Sequence, residues 1–139
     1  MTLPATLRVL SVQQPWAELV LRGIKDVENR SKRTAYRGLL LIHASKSAAL
    51  AKQVSGQDVG DGERLPLWDE LAYGAIVGAV EVTDCLDVRG WTARRRENVS
   101  PFANGPFCWL LEGAQRWERP FPCNGQVGLW RPPAGLELP

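Results

Sequence analysis

The chain is short of the residues that build metal and redox centres. A single histidine, His43, excludes a multi-histidine metal site by count. The three cysteines, Cys85, Cys108 and Cys123, lie far apart and form no C-x-x-C pair, which argues against a zinc ribbon and against a disulfide framework. Cys85 and Cys108 fall in apolar, strand-like runs, where a thiol serves as a small hydrophobe. Reduced thiols and a cytoplasmic setting are the expectation. The G-x-x-x-x-G-K-[ST] and G-x-G-x-x-G phosphate loops are absent, which disfavours nucleoside-triphosphate and dinucleotide enzymes. A G-x-S-x-G elbow is absent too, so a serine triad built on His43 lacks support. No apolar run approaches the ~20 residues that span a bilayer. Residues 1–10 lack the cationic start and long apolar stretch of a signal peptide. The net charge of +2 excludes a histone-like polycation but leaves room for a local basic patch.

What is present reads as one domain over residues 1–139, long enough to bury a core without metal or disulfide staples. Residues 1–6 are expected to be a loose leader, and Leu7 to Val12 a first, half-buried strand. Pro15 suits the first turn of a helix. Behind it Trp16, Leu19 and Val20 recur at i, i+3 and i+4, Glu18 and Arg22 fall on the other face, and Gly23 stops the run. A two-turn helix over Pro15 to Arg22 follows, with Trp16 as a core anchor. In a regular strand Asp26, Glu28 and Arg30 share one face, and Lys25, Val27 and Asn29 the other. Lys25 and Glu28 therefore reach one site only where the backbone bulges or turns. Gly38 ends a turn and Leu39 to Ile42 is a short buried strand, closed by His43, Ala44, Ser45 and Lys46.

Further on, Lys46 to Val54 is compatible with a helix. Residues 55–66 lose all periodicity and read as a surface loop. Leu67 to Tyr73 reads as a short helix. Gly74 to Asp87 is the strongest strand signal, rich in β-branched residues, with Gly74 and Gly78 marking a close backbone approach or a bulge. Within it Glu81 faces either solvent or a cavity. Trp91 to Glu97 carries Arg94, Arg95 and Arg96 and is either a solvated connection or a second phosphate contact. Phe107 to Glu112 is a strand apolar on both faces. Trp117 to Asn124, with two prolines, reads as an irregular edge, and Val127 to Trp130 as the closing strand. Residues 132–139 are expected to fray. Several short strands with few helices fit a barrel closed against its own edges.

The densest cationic stretch is Arg30, Lys32, Arg33 and Arg37, uninterrupted by an acid. It is either a solvated hairpin loop or a phosphate-contacting edge, because such contacts rest on Lys and Arg charge. Around it stand three ordered motifs: Leu10-Ser11 with Gln14-Pro15-Trp16-Ala17; Gly23, Lys25, Glu28 and Arg30; and Arg37-Gly38 with Leu40, Ile42, His43 and Ala44. In that order and spacing the chain resembles the ASCH (activating-signal-cointegrator homology) domain family. The later GAIVGAVEVTDC and GQVGLW runs also resemble its second half. The resemblance implies an α+β, mainly β fold: a small PUA-like β-barrel with a few short helices packed on it, a concave site, and nucleic-acid ligands in related modules.

Three functions are open. The first is a nucleic-acid-binding module, for RNA or DNA, single-stranded or at a strand end. Its contact residues would be Trp16, Lys25, Glu28, Arg30, Lys32, Arg33, Tyr36, Arg37, His43, Ser45 and Lys46. The cations would hold phosphates, Trp16 or Tyr36 would stack a base, and Glu28 would accept from an exocyclic amine. The second is a small hydrolase of N4-acylated cytidine or RNA. One branch of the family uses a Thr nucleophile, a Lys three residues before it and a Glu on a later strand. Lys25 and Glu81 match two of these, but Glu28 occupies the place of the Thr. In such an enzyme Lys25, Glu28 and Glu81 would be the catalytic set, with Glu28 as general base to a water, or Ser31, Thr34 or Ser45 as nucleophile. The third is an adaptor for a protein or small ligand. None of the three needs a metal, a cofactor or a membrane.

Overall fold

The computed structural model describes residues 3–60 and 62–139. The main sheet contains β1 (Arg8–Val12), β2 (Val27–Arg30), β3 (Gly38–Ala44), β6 (Ala75–Asp87), β7 (Phe107–Pro122) and β8 (Leu129–Trp130). They run in the order β2-β7-β6-β3-β1-β8 and curl into a half-barrel. β1 and β3 are parallel; the other pairs are antiparallel. A separate ribbon pairs β4 (Asp58–Gly60) with β5 (Glu63–Arg64). The helices α1 (Trp16–Leu21), α2 (Ala49–Val54) and α3 (Ala93–Val99) are short.

Strand alternation sends successive side chains to opposite faces of the sheet. Leu10, Leu40, Ile42, Val80, Val82 and Leu111 go to one cluster, which α1 covers with Ala17, Val20 and Leu21. Val9, Leu41, Ile76, Ala79, Trp117 and Trp130 go to a second. A two-turn helix is marginal by itself, so α1 is held by this burial. At Gly78 the helix comes close to the sheet. A Cβ there would lie 2.3 Å from the Gln115 carbonyl oxygen and 2.7 Å from a Leu21 methyl carbon. The β6–β7 register also shifts between Ile76 and Gly78. Both features expected of this glycine are present.

Several local expectations are corrected. The stretch read as a surface loop at 55–66 contains the β4–β5 ribbon, anchored by buried Leu65, whose N–H donates to the Gln57 carbonyl at 2.8 Å. Asp61 of that stretch lies outside the described residues. The helix expected at Leu67 to Tyr73 is only a 3₁₀ turn, Trp68–Glu70. Leu71 goes extended there, and Gln14 holds the next carbonyl, that of Ala72, at 3.0 Å. The cationic run at 94–96 stays on the surface as read and is helical, with Thr92 capping α3 by accepting from the Arg95 N–H at 3.2 Å. The edge read at Trp117 to Asn124 continues β7 as far as Pro122, but the register with β6 jumps from Arg116 to Phe121, so Trp117 to Pro120 is irregular as expected. Its prolines are tolerated because Pro120 lies in that register break and β2 pairs only with Phe107 to Leu110 of β7. The tail expected to fray carries Leu136 into the second cluster, with Leu138 packed against it. At the other end Leu7 is buried in the same cluster and Leu3 packs on it; Met1 and Thr2 of the expected leader lie outside the described residues.

Candidate nucleic-acid interface

The first motif builds its own platform. The Gln14 side-chain carbonyl accepts from the Glu18 N–H at 3.0 Å and so caps α1 from outside. Gly23, at φ +73°, turns the chain out of the helix. The N–H groups of Ile24 and Lys25 then both donate to the Leu19 carbonyl, at 3.0 and 3.1 Å. This turn is the break in alternation that Lys25 and Glu28 require. Lys25 precedes β2 and swings inward, so its Nζ lies 2.5 Å from the Val27 carbonyl and 3.3 Å from Oε1 of Glu28. Lys25 and Glu28 are both buried, at 6% and 8% exposure, and each offsets the desolvation of the other. The second Glu28 oxygen accepts from Arg30 Nε at 3.0 Å and Nη2 at 2.8 Å, and Nη2 also donates to the Ser11 carbonyl at 3.0 Å.

Around the Lys25–Glu28 pair lies a cleft of about 300 Å³, lined also by Trp16, Asn29, Phe102 and Asn104. Trp16 is half-buried, packed on the first core cluster while facing this cleft. Asn29 pins the opposite wall. Its Oδ1 accepts from the N–H groups of Asn104 and Gly105, at 2.9 and 2.8 Å, and its Nδ2 donates to the Phe102 carbonyl at 2.9 Å. Asn29, Phe102 and Asn104 were not among the expected site residues. Asn29 stands 73 residues from Phe102 in sequence, and no local pattern joins them.

A larger groove of about 600 Å³ includes Ser11, whose carbonyl Arg30 holds. Its walls include His43, Ser45, Lys46, Tyr73 and the segment from Cys123 to Val127. His43 is buried at the end of β3, as a hydrogen-bonded strand-end residue. Its Nε2 lies 2.8 Å from the Cys123 carbonyl, which can only accept, so Nε2 bears a proton. In the neutral ring Nδ1 then accepts from the Ser11 hydroxyl at 3.1 Å. The ring also meets Trp130 edge-on at 5.4 Å. Gly125 lies so close over this pair that a Cβ would stand 2.7 Å from Ser11 Oγ. Burial raises the Cys123 thiol above its ordinary pKa.

The remaining expected residues divide. Lys32 and Lys46 are exposed. Arg33 pairs with Asp87 at 3.6 Å and Arg37 with Asp84 at 3.5 Å, both acids of β6. The cationic segment, free of acids in sequence, thus meets them in space. Tyr36 is tied down: its hydroxyl accepts from the Arg8 N–H at 3.2 Å and donates to the Leu39 carbonyl, and burial raises its pKa. Of the two candidate stacking residues only Trp16 lines the cleft. Glu81 is exposed on β6 opposite Leu39 and Glu112, and takes no part in either concavity. Thr34 is buried, its hydroxyl accepting from the Tyr36 N–H. Among the described residues there is no cluster suited to a metal ion, and no helix is long and apolar enough to cross a membrane.

The model of the ASCH domain family matches residues 10–121. Activating signal cointegrator 1 from Homo sapiens is 33% identical over 131 residues, covering 88% of this chain and 22% of that protein. The Mus musculus protein of the same name is 30% identical with the same coverage. The chain therefore spans about a fifth of the length of the curated relatives it matches. Among solved structures, ASCH from Zymomonas mobilis and a point mutant of the same protein are 15% and 14% identical, with TM-scores of 0.48 and 0.49. They cover 84% of this chain and 73% and 76% of theirs. With its three motifs in order and a family match over most of its length, the chain belongs to the ASCH domain family.

Proposed function

We propose that this chain is a nucleic-acid-binding module that takes one base, or a strand end, into the Lys25–Glu28 cleft and holds the neighbouring phosphates with cations at its rim. The observation that carries this reading is the meeting of Trp16, Lys25 and Glu28 on one cleft with the side-chain amides of Asn29 and Asn104. Its size is at the lower end of the range for small-ligand sites. The indole supplies a stacking surface, which any base can use. Oε2 of Glu28 accepts twice from Arg30, whereas Oε1 accepts only from Lys25 and keeps a lone pair for an exocyclic amine. The second Nδ2 hydrogen of Asn29 and the Asn104 side-chain amide supply further polar groups for a base edge. Exposed Lys32 and Arg33 beside β2, and Lys46 on the larger groove, supply charge for phosphates.

The hydrolase alternative has less behind it. Glu28 stands where the nucleophile would be and is held between two cations, and Glu81 points away from the cleft.

The test is a fluorescence-anisotropy titration of single-stranded and duplex RNA and DNA across a salt series, with product analysis of the same mixtures. Binding that weakens with salt, leaves the oligonucleotides intact and drops by roughly 1–3 kcal/mol in Trp16→Ala supports the module. No binding by the wild-type protein would end this reading, and turnover would replace it with the hydrolase.

A further inference from the structure

We infer that the chain carries a second contact for the same strand, an arginine–aromatic track of Arg33, Arg89 and Arg95 on Phe107 and Trp91, which grips the phosphodiester backbone beyond the cleft. This rests on the nucleic-acid reading above and extends it to residues outside the family motifs. Two guanidinium groups lie against the Phe107 ring, Arg33 at 5.3 Å and Arg89 at 5.1 Å from its centroid. Their side chains are 62% and 64% exposed. Asp87 ties them together, accepting from Arg89 Nε and Nη2 at 2.9 and 2.6 Å and lying 3.6 Å from Arg33. Two residues beyond Arg89, Trp91 carries Arg95 stacked at 3.7 Å, and the Trp91 carbonyl accepts from Arg96 at 2.7 Å.

The track is firmly mounted. The Trp91 N–H donates to the Val88 carbonyl, and the Val88 N–H to the Pro106 carbonyl, both at 3.0 Å. Val88 is buried with Ala103 and Cys108, and Trp91 and Phe102 pack on that cluster. Phe102 and Asn104 line the cleft, and Phe107 sits opposite Arg30 in the β2–β7 register. The track therefore begins where the cleft wall ends. Stacking fixes the plane of a guanidinium; on Arg89 the Nε/Nη2 edge is held by Asp87, so its Nη1 group, with Arg33 and Arg95, is what remains for phosphate oxygens. A side chain ordered beforehand also loses less entropy on binding. The acids nearby are Asp87, Asp84 on Arg37, and Glu97 on α3. Against them stand Arg33, Arg37, Arg89, Arg94, Arg95 and Arg96, so the surface stays positive.

The experiment compares a trinucleotide, which fills only the cleft, with a strand of about twelve nucleotides, in both RNA and DNA, on the Arg89→Gln/Arg95→Gln double variant. The expected result is an unchanged trinucleotide affinity, weaker binding of the longer strand, and a log–log salt slope shallower by about 1.4, or about 0.7 per lost phosphate contact. The Arg89→Lys/Arg95→Lys variant keeps the charge and should keep the wild-type slope. Wild-type affinity and slope in the glutamine variant would overturn the track alone, with Trp16→Ala still losing the trinucleotide. No binding of any strand by the wild-type protein would overturn the track and the cleft together.

Discussion

Arg30 donates from Nη2 to the main-chain carbonyl of Ser11 at 3.0 Å, and the same guanidinium holds Glu28. β2 forms one edge of the sheet and β1 lies next to the other, so this bond spans the opening of the half-barrel. Ser11 also meets His43 through its hydroxyl in the larger groove, so the Arg30 bond links that groove to the Glu28 side chain of the cleft. Parts of three motifs, far apart in sequence, are thereby one bonded chain: Lys25, Glu28, Arg30, Ser11, His43.

Arg30→Met should therefore act on stability more than on nucleic-acid affinity. It removes charge-assisted hydrogen bonds to Glu28 and Ser11, at a cost of about 2 kcal/mol; part of the ideal value is lost because 32% of the side chain reaches solvent. Urea denaturation reads that loss. The salt slope for oligonucleotide binding should stay near the wild-type value, whereas Lys32→Gln lowers it. A stable Arg30→Met protein with a reduced slope would mean that the guanidinium faces phosphate.

Lys25→Met and Glu28→Gln form a double-mutant cycle on the buried pair. Glu28→Gln leaves the buried Lys25 without its carboxylate and should cost roughly 3 kcal/mol, whereas Lys25→Met leaves Glu28 to Arg30 and should cost less. The double variant should cost less than the sum, with a coupling of about 1–3 kcal/mol. Strict additivity in chemical denaturation would show that the two side chains do not interact in solution.

Asp87 sets a pH dependence at the acid end. Hydrogen bonds from Arg89 hold its carboxyl at about 2, below the ordinary 3.8. A depressed carboxyl contributes stability above its unfolded pKa and loses it as pH falls through the folded one. The contribution is thus complete above 3.8 and disappears on the way down to about 2. A ¹³C carboxyl titration should find the low midpoint, and Arg89→Gln should return it most of the way toward 3.8. An ordinary midpoint in the wild-type protein would contradict the Arg89–Asp87 geometry.

The strands were the most legible part of the chain. β3 and β6 are runs of β-branched and apolar residues long enough to impose alternation, and Gly23 and Gly38 sit at turns with φ of +73° and +99°. The stretch from 55 to 73 was not legible, because its turns are closed by Ser55 to Trp68 and Gln57 to Leu65, pairs that no periodicity marks, and by Gln14 from outside on the Ala72 carbonyl. The long β7 was hidden by Pro120 and Pro122, whose cost depends on whether a neighbouring strand needs their missing N–H. Only the sheet order supplies that fact. Of the site, Trp16, Lys25 and Glu28 were readable as a motif, and Asn29, Phe102 and Asn104 were not.

Family, sheet content and the identity of the motif residues follow from the sequence by itself, because alternation, turn chemistry and motif spacing are local properties of the chain. What each charge faces was decided by the tertiary structure. Arg30 sits beside Lys32 and Arg33 in sequence, yet it is engaged by Glu28 and Ser11, while Arg33 meets Arg89 across one phenyl ring. Coulomb and stacking interactions act over a few ångströms in space, and strand pairing brings those partners together from any distance along the chain.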